Sequence, residues 1–278
     1  MQKSFREDKP TLYLVSTPIG NLKDMTYRAV EILQSVDTIL CEDTRTSSVL
    51  LNHYKISKPL LSYHEFNKME RETEVINMLK EGKNLALISD AGTPGISDPG
   101  FEITESAIAM GYHVVSIPGA SAILAALVVS GLMIQPFTFI GFLPRKQGER
   151  SKLLKTYETR HETLLFYESP LRVEKTIESL YEAFGDRKVT LARELTKTFE
   201  TIIRTTLKEA LTIEHQTKGE YVIILEGYQK KIDSKLSLKD QVEAYIKQGL
   251  DEKEAMKQVA KDQKITKSDV YKAFKINA

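Results

Sequence analysis

Ser89-Asp90-Ala91-Gly92-Thr93-Pro94-Gly95-Ile96-Ser97-Asp98-Pro99-Gly100 follows a short apolar run, Asn84-Leu85-Ala86-Leu87-Ile88. The run suits a strand buried on both faces of a parallel sheet. The stretch after it holds three glycines and two prolines in twelve residues. Glycine lets backbone approach a ligand closely and proline freezes the path, so the composition suits a rigid, pre-shaped cradle. The other reading is an ordinary turn between strand and helix, although such turns usually need only about two to six residues. Asp98 can cap the next helix, with Pro99 at its first position and Gly111 at its close.

Working outward, the first half alternates strands with helical patterns. Thr11 to Ser16 reads as a strand, followed by the turn Thr17 to Asn21. Asp24 can cap a helix whose apolar face is Ala29, Ile32, Leu33 and Val36. A strand from Thr38 to Cys41 ends in Glu42-Asp43-Thr44-Arg45, with a helix over 46–54, a short strand near Leu60 and a charged helix from Lys68 to Glu81 beyond it. His113 to Ile117 is the last strand of this half. Repeated strand–helix units predict an α/β architecture with a mostly parallel, doubly flanked sheet, whose ligands gather beyond the carboxyl ends of the strands. Three polar loops fall at those ends: 17–21, 42–45 and 89–98.

Pro118-Gly119-Ala120-Ser121 breaks the rhythm, and a small-residue helix running to Gly131 follows. Phe137 to Phe142, Thr163 to Tyr167, Lys188 to Arg193 and Glu220 to Glu226 read as strands, and a helix after Pro170 lies between two of them. This predicts a second α/β domain over 118–228 with a larger antiparallel share, closing a cleft against the first domain, 1–117. Residues 229–278 read as a linker, Gln229 to Ser234, and three short helices: Ser237 to Gln248, Asp251 to Lys261 and Thr266 to Phe274. Gly249 supplies a stop signal.

Charge divides along the same line. The last 50 residues carry 12 Lys and 8 acidic residues, leaving 27 basic against 30 acidic upstream. Two close-set helices in a basic tail suit either a nucleic-acid arm of helix-turn-helix type or a solvated appendage that stabilises or dimerises. A single cysteine excludes an intramolecular disulfide and fits a reducing cytosol. The polar start predicts no signal peptide, and the longest apolar run, Ala120 to Met133, is too short to span a bilayer, so a cytoplasmic protein without membrane contact is expected. Neither GxxxxGK[ST] nor GxGxxG occurs, so ATP hydrolysis and ordinary dinucleotide binding lack their fingerprint. No HExxH or paired-cysteine spacing marks a metal site. Arg45 either grips a phosphate or carboxylate or pairs with Glu42 or Asp43, and His64 is either structural or catalytic.

Six ordered motifs narrow the reading: Ser16-Thr17-Pro18-Ile19-Gly20-Asn21, Cys41-Glu42-Asp43-Thr44-Arg45, His64-Glu65-Phe66-Asn67, Asp90 to Gly100, Pro118-Gly119-Ala120-Ser121 and Phe166-Tyr167-Glu168-Ser169-Pro170. Together, over about residues 10–228, they resemble the RsmI-type branch of the tetrapyrrole methylase family. The resemblance implies a bilobed, usually homodimeric methyltransferase that folds S-adenosyl-L-methionine into the interdomain cleft. It also implies methylation of the ribose 2′-hydroxyl of a cytidine in small-subunit ribosomal RNA within the 30S particle. Carried over, Asp90, Ala91, Gly92 and Thr93 would line the cofactor, Ile96 and Ser97 would flank it, and Ala120 and Ser121 would approach from the domain junction. Phe166, Tyr167 and Leu195 would close over the adenine, and Pro18 would shape the floor. Asp43 and His64 are the leading proton acceptors and Glu168 the next. Glu42, Thr44, Arg45, Asn67 and Arg172 are the expected substrate contacts. Two rivals are methylation of a tetrapyrrole or protein side chain on the same scaffold, and a non-catalytic DNA-binding regulator.

Overall fold

A computed structural model of the protein describes residues 2–4, 6–7, 9–229, 236–247 and 250–275. Two compact units result, Met1–Gly227 and Tyr228–Ala278. In the first, β1 (Thr11–Val15), β2 (Thr38–Cys41), β3 (Leu60–Ser62), β4 (Leu85–Ile88) and β5 (His113–Ile117) form an all-parallel sheet in the order β3-β2-β4-β1-β5. Both β2 and β4 are buried at every position, which is why they read as unbroken apolar runs. Helices α1 (Tyr27–Ser35), α2 (Thr44–His53), α3 (Lys68–Lys80) and α4 (Phe101–Ala109) cover the two faces. Ala29, Leu33 and Leu51 pack with Ile39 and Ile88 on one side, and Val75, Leu79 and Ile103 pack with Leu40 and Leu87 on the other. Adjacent strand residues thus feed opposite cores, as the period of two requires.

Helix α5 (Ala122–Val129) leads into a second sheet of β6 (Phe137–Phe142), β7 (Thr163–Glu168), β8 (Lys188–Arg193), β9 (Thr201–Thr206) and β10 (Tyr221–Leu225). Its order is β6-β7-β10-β8-β9, and only the β6–β7 pair is parallel. One face, including Leu164, Phe166 and Ile223, packs on α6 (Gln147–Lys155), α7 (Val173–Phe184) and α8 (Leu207–Ala210). The other face, with Leu165, Ala192, Val222 and Ile224, receives α5 through Ile123, Ala126 and Leu127, and also Ile19 from the first lobe.

The second unit is three helices, α9 (Leu238–Lys247), α10 (Glu252–Asp262) and α11 (Lys267–Lys275), around Val242, Met256, Val259 and Val270. The expected linker, Gln229 to Ser234, lies outside the described residues from 230 onward, as does Gly249. No helix among the described residues is long and apolar enough to cross a membrane.

Several helix starts differ from the sequence reading. Thr26, not Asp24, caps α1 by accepting from the Ala29 amide at 3.2 Å, and Asp24 falls in a short 3-10 turn. Helix α2 begins at Thr44 instead of 46, because the Asp43 side chain accepts from the Arg45 amide at 2.8 Å. Helix α4 begins at Phe101 behind Gly100, not behind Asp98. Gly100 has φ +148°, and a Cβ there would lie 2.9 Å from Leu87, so only glycine makes this turn without strain. Asp98 is thereby freed for another task.

Candidate functional site

Strands β1 and β4 are neighbours, so the loops leaving their carboxyl ends are forced together. Thr17 and Gly92 exchange backbone hydrogen bonds, the Thr17 amide donating at 2.8 Å and accepting at 3.2 Å through its carbonyl. The Thr17 hydroxyl donates to the Ser89 carbonyl at 3.1 Å, and the Ser16 and Thr93 hydroxyls lie 2.9 Å apart. From β2, the Asp43 amide donates to Asp90 Oδ1 at 3.4 Å. Three loops therefore meet, as the sequence reading expects. Beside them, a cavity of about 500 Å³ opens between the loop 90–98 and the second sheet. Ser97, itself at φ +65°, brings its hydroxyl within 3.6 Å of a Cβ built on Gly141, so the two lobes touch at this edge.

The first-lobe wall is acidic. Asp90 and Asp98 line the cavity, and Glu42 lies close enough to act on both. Burial pushes all three carboxyls above the usual range; the Asp90 charge adds to this at Glu42 and Asp98, the Glu42 charge at Asp98, and the Asp43 charge at Asp90, and Asp98 rises to about 6. Among the described residues, no three histidines, cysteines or acids are grouped so as to hold a metal ion. No lysine or arginine among the described residues lines this wall.

The second-lobe wall is aromatic and aliphatic: Tyr167, Leu195, Phe142 and Val222 face the cavity. Tyr167 sits between Phe139 at 4.8 Å and Phe142 at 5.6 Å, ring centre to ring centre. Burial first, and then the Asp98 charge, push the Tyr167 hydroxyl up to about 12, so it stays protonated at neutral pH and is available to donate as well as to stack.

Of the expected cofactor residues, Asp90, Ala91, Gly92, Thr93, Ile96, Ser97, Ser121, Tyr167 and Leu195 line this cavity, while Pro18, Ala120 and Phe166 do not. Phe166 is fully buried on the opposite face of β7, because one residue along a strand reverses the side chain. Pro18 is buried behind Ile19, which takes the wall position, and Ala120 packs into the apolar cluster beside Ser121. Reading from the residues passed over Ile19, Asp98, Phe142 and Val222. The signal for Val222 was present, since β10 alternates between the two cores.

The candidate proton acceptors fare differently. Asp43 is engaged bidentately by Arg45, with Nε and NH2 donating at 3.1 and 2.8 Å, and this holds its carboxyl at about 2. The ion-pair reading of Arg45 therefore applies to Asp43. Glu168 is buried, and both its oxygens are in use: one accepts from the Ser169 amide at 2.8 Å and lies 3.4 Å from Arg172, the other accepts from the Thr176 hydroxyl at 2.6 Å. This carboxylate is a joint in the wall. The Arg172 guanidinium also donates to the Leu143 carbonyl at 2.7 Å, so it is committed to the same joint. Asn67 closes the turn before α3, accepting from the His64 amide at 2.8 Å and donating to the Ser62 carbonyl at 3.1 Å. His64 Nδ1 is buried without a hydrogen-bond partner, and its ring acts on the Glu42 charge. Thr44 opens α2 next to these groups.

Residues 11–211 match the family model described as Tetrapyrrole (Corrin/Porphyrin) Methylases. The chain is 46% identical to "Ribosomal RNA small subunit methyltransferase I" of Bacillus subtilis, over 99% of this chain and 98% of that protein. It is 47% identical to the protein of the same name from Halalkalibacterium halodurans, covering 97% and 96%, and 42% identical to that from Synechocystis, covering 94% and 95%. Among solved structures, diphthine synthase superposes with a TM-score of 0.61 at 15% identity, over 78% of this chain and 90% of that one, a likeness of fold.

Proposed function

The chain belongs to the tetrapyrrole methylase family, and from that premise we propose that it is an S-adenosylmethionine-dependent methyltransferase of small-subunit ribosomal RNA, acting on the 2′-hydroxyl of a cytidine. The observation that carries this reading is the near end-to-end similarity to relatives bearing the name ribosomal RNA small subunit methyltransferase I. The cavity supports it independently. A site of this size, with an acidic wall facing an aromatic one, fits a nucleoside that carries net positive charge on a sulfonium.

S-adenosylmethionine, when bound, supplies an electrophilic methyl group on a cationic sulfur. Asp90 and the backbone of Ala91 to Thr93 would hold its amino-acid end, and Tyr167, Leu195 and Val222 would cover the adenine. Asp98 and Glu42 answer the positive charge and are themselves relieved by it, since a cation cancels the repulsion between them. Burial between the lobes excludes water, which strengthens each of these contacts. We assign proton acceptance from the ribose hydroxyl to His64. Its ring lies near enough to act on the Glu42 charge, whereas the carboxylates of Asp43 and Glu168 are already committed. Arg45 is exposed, and its surface pair with Asp43 would yield to an RNA phosphate.

The tail extends the reading. A four-residue turn joins α10 to α11, and Lys257, Lys261, Lys264, Lys267 and Lys272 are exposed there, which suits contact with RNA in the 30S particle. The exposed Leu124 and Val128 of α5 suit self-association as a homodimer, which light scattering of the purified chain would read. The direct test offers labelled S-adenosylmethionine to the protein with unmethylated small subunits or with precorrin-like compounds, then maps the modified ribose by its resistance to alkaline cleavage. Label on one cytidine ribose supports the proposal; label on the small molecule alone overturns it.

A further inference from the structure

The second-lobe rim carries a feature that cofactor binding does not require. Phe139 of β6 pairs with Leu165, but the register then slips, and Gly141 and Phe142 pair with Phe166 and Tyr167. One extra residue is accommodated at this bulge, where Gly141 takes φ +80°. Without it, Phe142 would share the face of Ile140 and join the core beneath the sheet. With it, Phe142 stands on the cavity side, against Tyr167 and 55% exposed. A large aromatic at a cavity mouth, packed on Tyr167 alone among ring neighbours and otherwise exposed, costs solubility and leaves a face free for a ligand.

The loop after Phe142 is held by two guanidinium groups. Arg172, anchored on buried Glu168, donates to the Leu143 carbonyl. Arg150, only 4% exposed, donates to the Pro144 carbonyl at 3.3 Å and the Arg145 carbonyl at 3.2 Å, and is steadied by the Ser179 hydroxyl at 2.9 Å. Two buried or half-buried cations thus order the segment 143–146, in which Leu143 is anchored in the core while Arg145 and Lys146 stay exposed. Arg145 is exposed and forms no ion pair among the described residues, and Lys146 meets only Glu149 at the surface. An exposed pair of that kind contributes little and is readily given up.

Resting on the rRNA methyltransferase reading, we propose that Phe142, Arg145 and Lys146 form the substrate grip: the Phe142 ring stacks on an unpaired base next to the cavity, and the two cations hold the flanking phosphates. Charge divides in the way this demands. The acidic wall inside suits a cationic donor and repels phosphate, so the RNA backbone must be held outside, at the rim, by groups ordered beforehand. Aromatic stacking beside backbone cations is how single-stranded RNA is held with its bases splayed out. The target segment is therefore single-stranded when it is bound.

The test compares the full chain with Phe142→Leu, Phe142→Trp and the double variant Arg145→Gln/Lys146→Gln. Methyl transfer to unmethylated small subunits gives KM and kcat, and calorimetry gives affinity for S-adenosylmethionine. Phe142→Leu is expected to raise the subunit KM by about 5- to 100-fold, and Phe142→Trp to restore it. The double variant should raise KM by about tenfold and make the salt dependence shallower by a slope of about 1.4, two phosphates' worth on a single strand. An unchanged subunit KM in either Phe142→Leu or the double variant overturns the proposal, as does a Phe142→Leu loss confined to cofactor affinity. If the wild-type chain methylates no small-subunit RNA at all, the underlying functional reading fails first, and the grip fails with it.

Discussion

The two walls of the cavity use carboxylates in opposite ways. In the first lobe, Asp98, Asp90 and Glu42 crowd one another, and burial pushes their carboxyls up. In the second lobe, Glu168 is more deeply buried, yet it accepts from an amide and a hydroxyl and is ion-paired with a guanidinium. A buried charge with all its partners supplied builds structure, while crowded carboxyls with no lysine or arginine in the cavity lining suit a cationic ligand. The contrast separates residues that shape the site from residues that address the ligand, although both sit in motifs of similar look.

The largest expected effect falls on the satisfied side. Glu168→Ala strands the Arg172 guanidinium and the Thr176 hydroxyl and should lower unfolding stability by about 3–5 kcal/mol in urea titrations. Transfer per folded molecule should survive; abolished transfer in fully folded protein would return Glu168 to the chemistry. Next, His64→Ala should slow single-turnover methylation by about 10²-fold at saturating cofactor, with cofactor affinity unaltered. A rate within twofold of wild type removes His64 from proton transfer.

Smaller effects sharpen the acidic side. Asp98 titrates near 6, so a cation meets a carboxylate above that pH and a neutral acid below it. Affinity for S-adenosylmethionine should therefore fall about tenfold between pH 7.5 and pH 5, and Asp98→Asn should flatten that dependence. The sign for stability is the reverse. The folded carboxyl holds its proton more tightly than the ordinary 3.8, so its burial costs stability above about pH 6 and nothing below about pH 4. Asp98→Asn should accordingly raise the melting temperature at pH 7.5 and leave it unaltered at pH 4. Smallest of all, Arg45→Ala should leave the melting temperature where it is, because the Asp43 pair is exposed, and raise the subunit KM only a few-fold.

Much of the first lobe was legible because its strands are short, apolar and bounded by turn residues; His113 to Ile117 is found where its pattern ends. The second sheet was harder. Thr201–Thr206 escaped notice because Thr-Ile-Ile-Arg-Thr-Thr lacks a clean alternation, and Gln147–Lys155 because only Leu153 and Leu154 interrupt its polar face. The convergence of the three loops followed from strand order, which local sequence suggests. Which of Phe166 and Tyr167 faces the cavity depended on strand parity, and Phe142 on a bulge that only Gly141 hinted at. Asp98 read as a helix cap because aspartate before proline usually is one; Gly100 took that role through a backbone angle that no side-chain pattern reveals.

The central claim is that the crowded acids and the aromatic wall together receive a cationic sulfonium nucleoside. Calorimetric titration of the intact chain with S-adenosylmethionine at pH 7.5 and pH 5 tests it most directly. One saturable site per chain, weaker at the lower pH and taking part of its strength from Asp98, is the expected result; no uptake at either pH, or uptake indifferent to both pH and Asp98→Asn, would contradict it.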